Sequence, residues 1–257
     1  MEGATGRTHV VHVWGMAISI DIRDDVADVP EVVVPVEAWL RHVDDLFSTY
    51  QPESAVARLA DGLLALDDAP RLVQSVLDRC IQLHDETDGY FDAWATGRLD
   101  PSGLVKGWAV DVASDFLLAR GVGNHAVNAG GDVRVQGRPR SGERWRVGIA
   151  HPHVHDAVCA VVELDGGEAI ATSGTAERGP HVVDPHTGRP ALDLASVTVI
   201  ASDLATADAY ATAALAMGLV APDWLSELPG VDAIVVDAGG YIWQSAGVGE
   251  RDALALR

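Results

Sequence analysis

Near Gly121 the chain changes its hydrophobic period, and that change limits the folds open to it. Upstream, apolar residues recur at helical spacing; downstream, short β-branched or alternating runs are separated by Gly, Pro and Asp turns. The strongest stripe, Val105, Trp108, Ala109, Val112, Ala113, Phe116 and Leu117, predicts a helix over about 103–120, capped by Gly121. One earlier helix is expected to be opened by Pro35, with Val36, Trp39, Leu40, Val43, Leu46 and Phe47 on one face. Another, begun by Pro70, carries Leu72, Val73, Val76, Leu77, Cys80, Ile81 and His84. Residues 11–22 read as one extended strand, and further strands are expected at 125–128, 132–136, 144–149, 157–164, 169–172, 181–184 and 196–201. An alanine-rich helix over 203–217 and a strand pair at 233–236 and 241–243 close the chain. Helices grouped early and antiparallel strands grouped later imply an α+β class, expected as a single domain of two lobes over residues 1–257.

With 48% hydrophobic and 22% charged residues, the chain can build a core without disulfides. Cys80 and Cys159 both lie in apolar patterns, which predicts buried free thiols. A formal net charge of −20 argues against nonspecific binding to nucleic acid or anionic membrane, so an anionic ligand must be held locally. Solubility alone is a sufficient reason for that acidity. Residues 1–13 carry no apolar leader or lipid-anchor cysteine, and no run approaches the ~18 apolar residues of a membrane span. The expectation is a cytoplasmic protein with no membrane insertion. Neither a dinucleotide-binding glycine fingerprint nor a P-loop is present.

Four segments combine a lysine, hard oxygen ligands and glycine-rich backbone: 100–107, 128–132, 172–174 and 207–212. Carboxylate, hydroxyl and carbonyl oxygens suit Mg²⁺, while an ammonium and exposed N–H groups suit phosphate. Asp208 and Thr212 stand four apart on the expected last helix and share a face, although a solvated Asp208 and a Thr212 bonded back to its own helix explain the spacing equally well. Lys106 sits near a helix start after the tight turn Asp100-Pro101-Ser102-Gly103, where it is either a phosphate contact or a solvated lysine. Gly130-Gly131-Asp132 reads most simply as a hairpin turn, and Thr172-Ser173-Gly174 shares the ambiguity between turn and ligand contact. His181, before Val182-Val183-Asp184-Pro185, is a general base or a structural histidine. His151, His153 and His155 lack a fourth ligand at metal spacing and read as solvated.

In this order the segments resemble the ApbE family of FAD:protein FMN transferases. The resemblance runs through Ser48-Thr49-Tyr50-x-x-x-Ser54, Gly89-Tyr90-Phe91-Asp92, Asp100-x-x-Gly103-x-x-Lys106-Gly107 and Asn128-x-Gly130-Gly131-Asp132. It continues through Thr172-Ser173-Gly174, His181-x-x-Asp184-Pro185-x-Thr187-Gly188 and Ala207-Asp208-Ala209-x-Ala211-Thr212. It implies an ApbE-like fold with a central flavin and metal cleft, and a reaction in which Mg²⁺ and FAD bind, the pyrophosphate is cleaved, FMN is attached to a Thr or Ser of an acceptor protein, and AMP leaves. It further implies Gly103, Asp208 and Thr212 as metal ligands, His181 and Asp208 as catalytic groups, and FAD contacts from Tyr50, Phe91, Asp92, Asp100, Lys106 and Val182. Trp14-Gly15-Met16 stand where the family has Met-Gly-Thr, making Trp14 and Met16 divergent flavin-contact candidates. An FAD pyrophosphatase releasing FMN and AMP is the enzymatic alternative; a protein that stores FAD without turnover is the non-enzymatic one.

Overall fold

The computed structural model describes residues 6–176, 179–249 and 251. The ends of the expected 1–257 domain and the first five residues of the segment judged to lack a leader lie outside the described residues. The chain opens with β1 (Arg7–Val13) and β2 (Met16–Ile22), followed by α1 (Val29–Phe47), α2 (Ala55–Ala60), α3 (Arg71–Glu86) and α4 (Ser102–Leu118). Next come β3 (His125–Ala129), β4 (Asp132–Gln136), β5 (Trp145–Ala150), β6 (Val158–Leu164) and β7 (Ala169–Gly174). The short β8 (Val183–Asp184) and β9 (Arg189–Pro190) precede β10 (Leu194–Ala201), α5 (Leu204–Met217), α6 (Ala221–Glu227), β11 (Asp232–Asp237), β12 (Ile242–Gln244) and α7 (Ala246–Gly249). Among the described residues, eight antiparallel strands form one sheet in the order β1-β2-β3-β4-β7-β10-β11-β12, and β5-β6 and β8-β9 are separate pairs.

Side-chain alternation gives this sheet two cores. Ala169, Ala171, Val197, Val199, Ala233 and Val235 face the helices, while Ile170, Ile200 and Ile234 face the β5-β6 hairpin and meet Trp145, Ile149 and Val162. The mixed α+β class is therefore observed, with α1 to α6 on one side of the sheet and the β5-β6 hairpin with α7 on the other. α4 and α5 are largely apolar and buried because they lie centrally, and Trp39 of α1 donates its indole N–H to Ala109 O of α4 at 2.9 Å. Cys80 and Cys159 are buried free thiols, as expected.

Several local expectations change. Residues 11–22 form a hairpin: Val13 pairs with Met16, and the turn residues Trp14 and Gly15 have φ of 56° and 70°. The burial pattern moves from odd positions (Val11, Val13) to even ones (Ile18, Ile20, Ile22), which a continuous strand cannot do. α1 starts at Val29, capped by Asp28, so Pro35 lies inside the helix and does not open it. In α3 Ile81 is exposed and Leu83 is buried. Only Val183–Asp184 of the expected 181–184 strand pairs, and Thr172-Ser173-Gly174 is the end of β7, paired with β10, and not a turn. Finally, the run Leu204–Glu227 has the length and hydropathy of a membrane span, contrary to the sequence expectation, yet 67% of its apolar window is buried within the fold, as befits a core helix.

Candidate active site

The site depends on how closely α4 approaches α5. A Cβ placed on Gly107 would fall 2.4 Å from Leu204 O, so only glycine permits this crossing. One turn earlier, a Cβ on Gly103 would meet Phe91 Cε2 at 3.2 Å and Thr212 Oγ1 at 3.4 Å. Gly103 and Gly107 therefore present one smooth face of α4 to α5, whose Ala207 and Ala211 are fully buried. Asp111 of α4 secures the crossing by accepting the Leu204 and Ala205 N–H groups at 3.0 and 2.8 Å, while Asp203 caps α5 through Thr206 N. The next stripe of α5 carries Asp208 and Thr212.

Asp208 is 4% exposed, which excludes a solvated surface acid. Lys106 Nζ stands 3.5 Å from Asp208 Oδ1 and also pairs closely with Asp132 Oδ2. Asp132 is held in place by accepting the Thr172 N–H on Oδ1 at 2.9 Å. Asp208 Oδ2 is buried without a hydrogen-bond partner among the described residues. Burial is the main influence on the Asp208 carboxyl, raising it to about 7; Lys106 pulls it down and Asp132 pushes it up. Thr212 does not bond back to its helix: its Oγ1 lies 3.1 Å from Ser173 Oγ.

Other segments bring their motifs to the same place. Ser54 caps α2 through Ala57 N and donates to Ser48 O, while Ser48 Oγ accepts the Tyr50 and Gln51 N–H groups. This closed loop leaves Tyr50 94% exposed at the rim. Thr87, fully buried, donates to Leu83 O and accepts Phe91 N–H, fixing Phe91 in the wall. Asp92 and Asp100 each accept a nearby backbone N–H, from Trp94 and Ser102. At the end of the sheet, Gly130 and Gly131 have φ of 63° and 101°, and the Asn128 side chain closes their turn by accepting the Gly131 N–H. Met16 Sδ lies 3.2 Å from where a Gly130 Cβ would sit, so the two hairpin turns touch.

All of the residues singled out from sequence, namely Trp14, Met16, Tyr50, Phe91, Asp92, Asp100, Gly103, Lys106, His181, Val182, Asp208 and Thr212, line one cavity of about 1010 Å³. His181 is exposed, and its Nδ1 is 3.0 Å from Gly179 O. A carbonyl only accepts, so Nδ1 carries the proton in the neutral ring and Nε2 is left as an acceptor. His151, read as solvated, also lines the cavity. Sequence patterns do not single out the walls supplied by Val43, Asp44 and Phe47 or by the β5 segment. Asp132, read as part of a turn, is the counter-ion of Lys106; its position directly after two glycines was the available signal.

The sequence model of the ApbE family matches residues 94–235. The FAD:protein FMN transferase of Vibrio cholerae is 39% identical over 129 residues, covering 47% of this chain and 39% of that protein. The Rhodobacter capsulatus FAD:protein FMN transferase is 33% identical over 203 residues, covering 76% of this chain and 35% of that protein. These matches thus span well under half the length of either curated relative. Among solved structures, an ApbE protein of Thermotoga maritima superposes with a TM-score of 0.85 at 24% identity, covering 96% of this chain and 99% of that one. The flavinyl transferase ApbE of Pseudomonas stutzeri, in apo form, gives 0.82 at 25% identity, covering 96% of each chain. Because the family match takes in more than half of the sequence and the fold agrees throughout, the chain belongs to the ApbE family.

Proposed function

We propose that this protein is a magnesium-dependent FAD:protein FMN transferase, moving the FMN half of FAD onto a Thr or Ser hydroxyl of an acceptor protein and releasing AMP. The observation that supports this best is a buried carboxylate with an unsatisfied oxygen, Asp208, beside a lysine in a cavity large enough for a dinucleotide. The names of the curated relatives support the same transfer. The larger core, drawing on residues from Val11 to Val235, supports reading the chain as one domain.

The residues present fit magnesium. Asp208 Oδ2 lacks a partner, Thr212 offers a hydroxyl, and Gly103 packs against that threonine. No group of three His, Cys, Asp or Glu side chains with metal-site geometry occurs among the described residues, so a cation here needs water and substrate phosphates to complete its shell, as Mg²⁺ commonly does. When bound by Asp208, Thr212 and the Gly103 carbonyl, it would supply Lewis-acid polarisation of the pyrophosphate. Lys106, oriented by Asp132 and Asp208, binds phosphate oxygens and stabilises the charge that develops on them. Tyr50 offers an open ring for stacking, while Trp14, Met16, Phe91, Asp92, Asp100 and Val182 shape the remaining FAD contacts.

His181 takes the proton of the acceptor hydroxyl on Nε2. The acceptor oxygen bonds to the FMN-side phosphorus, and the bond to the AMP phosphate breaks with its electron pair leaving on AMP. Purified protein mixed with FAD, MgCl₂ and a cell extract should yield a fluorescent flavin-labelled band and AMP. Asp208→Ala should remove both while its circular dichroism matches the parent. Equal labelling by that variant would remove the metal role; AMP with free FMN and no band would favour hydrolysis; intact bound FAD would favour storage.

A further inference from the structure

β5 presents an open edge to the cavity. Among the described residues β5 pairs only with β6, and Val147, Gly148, Ile149 and Ala150 line the cavity while no residue of β6 does. The edge away from β6 therefore faces the site. His151 N–H donates to Ala157 O, on the β6 side, at 2.8 Å. The register shift between Ile149 and Ala150 skips Cys159 of β6, so β5 itself keeps its alternation, which turns the N–H and C=O of Arg146 and Gly148, and the N–H of Ala150, to the open side. Among the described residues no strand other than β6 pairs with β5, and these outward groups make no backbone bond outside that ladder.

Charge adds a second observation. In a chain of net charge −20, Arg134, Arg138, Arg140, Arg144 and Arg146 fall within thirteen residues. Arg134 pairs with Asp111, and Arg138 and Arg144 share Asp165. Arg140 and Arg146 form no ion pair among the described residues, and Arg146 lies on the exposed face of β5, opposite the buried Trp145 and Ile149. A strand laid on this edge would meet the Arg146 side chain at cross-strand distance, ~5 Å between Cβ atoms.

We propose that the acceptor docks by strand addition: an extended segment bearing its Thr or Ser and at least one acidic side chain pairs with the open edge of β5, and so carries the hydroxyl into the cavity. This rests on the FMN-transfer reading. Main-chain bonds to an edge bind many sequences, and the guanidinium selects those with a carboxylate opposite.

The test uses FAD, MgCl₂ and a library of nine-residue peptides with a central threonine and randomised flanks, with sequencing of the flavin-labelled products. Labelled peptides should be enriched about tenfold in Asp and Glu, and Arg146→Glu should reverse the preference toward Lys and Arg while FAD affinity stays the same. Gly148→Pro, which removes one outward N–H at an edge position that tolerates proline, should lower labelling at least tenfold with an unchanged circular dichroism spectrum. Equal labelling with an unchanged preference in both variants overturns strand addition, as does a loss of FAD affinity in Arg146→Glu that accounts for the lost labelling. If the unsubstituted protein forms neither labelled peptide nor AMP, the transfer reading itself fails and the docking proposal falls with it.

Discussion

Replacing Asp208 with Asn should make the protein more stable at pH 8 while removing its response to magnesium. Burial above all, with help from Asp132, holds the Asp208 carboxyl at about 7 against its ordinary 3.8, despite the attraction of Lys106. Between those values the folded protein keeps a proton that the unfolded chain has released, so Asp208 lowers stability progressively as pH rises toward 7 and by a constant amount above it. At pH 8 the ionised carboxylate costs on the order of 2–4 kcal/mol, which Asn avoids. For a chain of this length that is roughly 5–15 °C in Tm. Asp111, raised to about 6 mainly by burial, acts with the same sign, and His125, lowered to about 4 mainly by burial, acts with the opposite one. Both are common to parent and variant and cancel in the difference. Thermal melts at pH 5 and pH 8, with and without millimolar MgCl₂, give the measurement. The gap between the proteins should widen from pH 5 to pH 8, and magnesium should raise the Tm of the parent alone. A variant that melts at or below the parent at pH 8, or an equal magnesium response in both, would refute the reasoning.

Lys106→Ala leaves Asp132 and Asp208 without their cation, so FAD affinity should fall at least tenfold by fluorescence titration and stability by about 3 kcal/mol at pH 8; unchanged FAD affinity would separate this lysine from the phosphates. Gly107→Ala forces a Cβ against Leu204 O and should cost about 2–3 kcal/mol in urea unfolding, whereas a neutral result would mean that the helices separate freely. Trp14→Asn relieves a bulky residue from left-handed backbone and should add about 0.5–1 kcal/mol of stability while weakening FAD binding. Wild-type affinity in that variant would remove Trp14 from the flavin contacts.

The parts of the site that could be read from sequence are those with a short-range physical signature. Asp208 and Thr212 announce themselves by helical spacing, and Lys106 by its place after a turn; the fold brings both together because Gly103 and Gly107 flatten α4 against an alanine face of α5. Helix 71–86 and strands 132–136 and 232–237 follow their hydrophobic periods, so the expected and observed elements nearly coincide. The first hairpin was illegible because Trp-Gly is a poor I′ turn signal, and the apolar parity switch is visible only once the turn is known. Pro35 looked like a helix start because proline favours first turns, but the Asp28 cap and Pro30 had already begun the helix. The Asp132 partnership depends on a strand pairing far apart in sequence, and the β5 wall on the packing of its hairpin against Ile170, Ile200 and Ile234, which no local spacing encodes. The strained tryptophan and the buried carboxylate with one unsatisfied oxygen, where local rules are broken, both border the cavity.

Phosphorus NMR of the macromolecular product, after incubation with FAD, MgCl₂ and an acceptor, separates FMN transfer from hydrolysis. Transfer gives one phosphodiester resonance that stays with the acceptor protein and one equivalent of AMP monoester in the filtrate. Two free monoesters, FMN and AMP, with no protein-bound phosphorus, would contradict it.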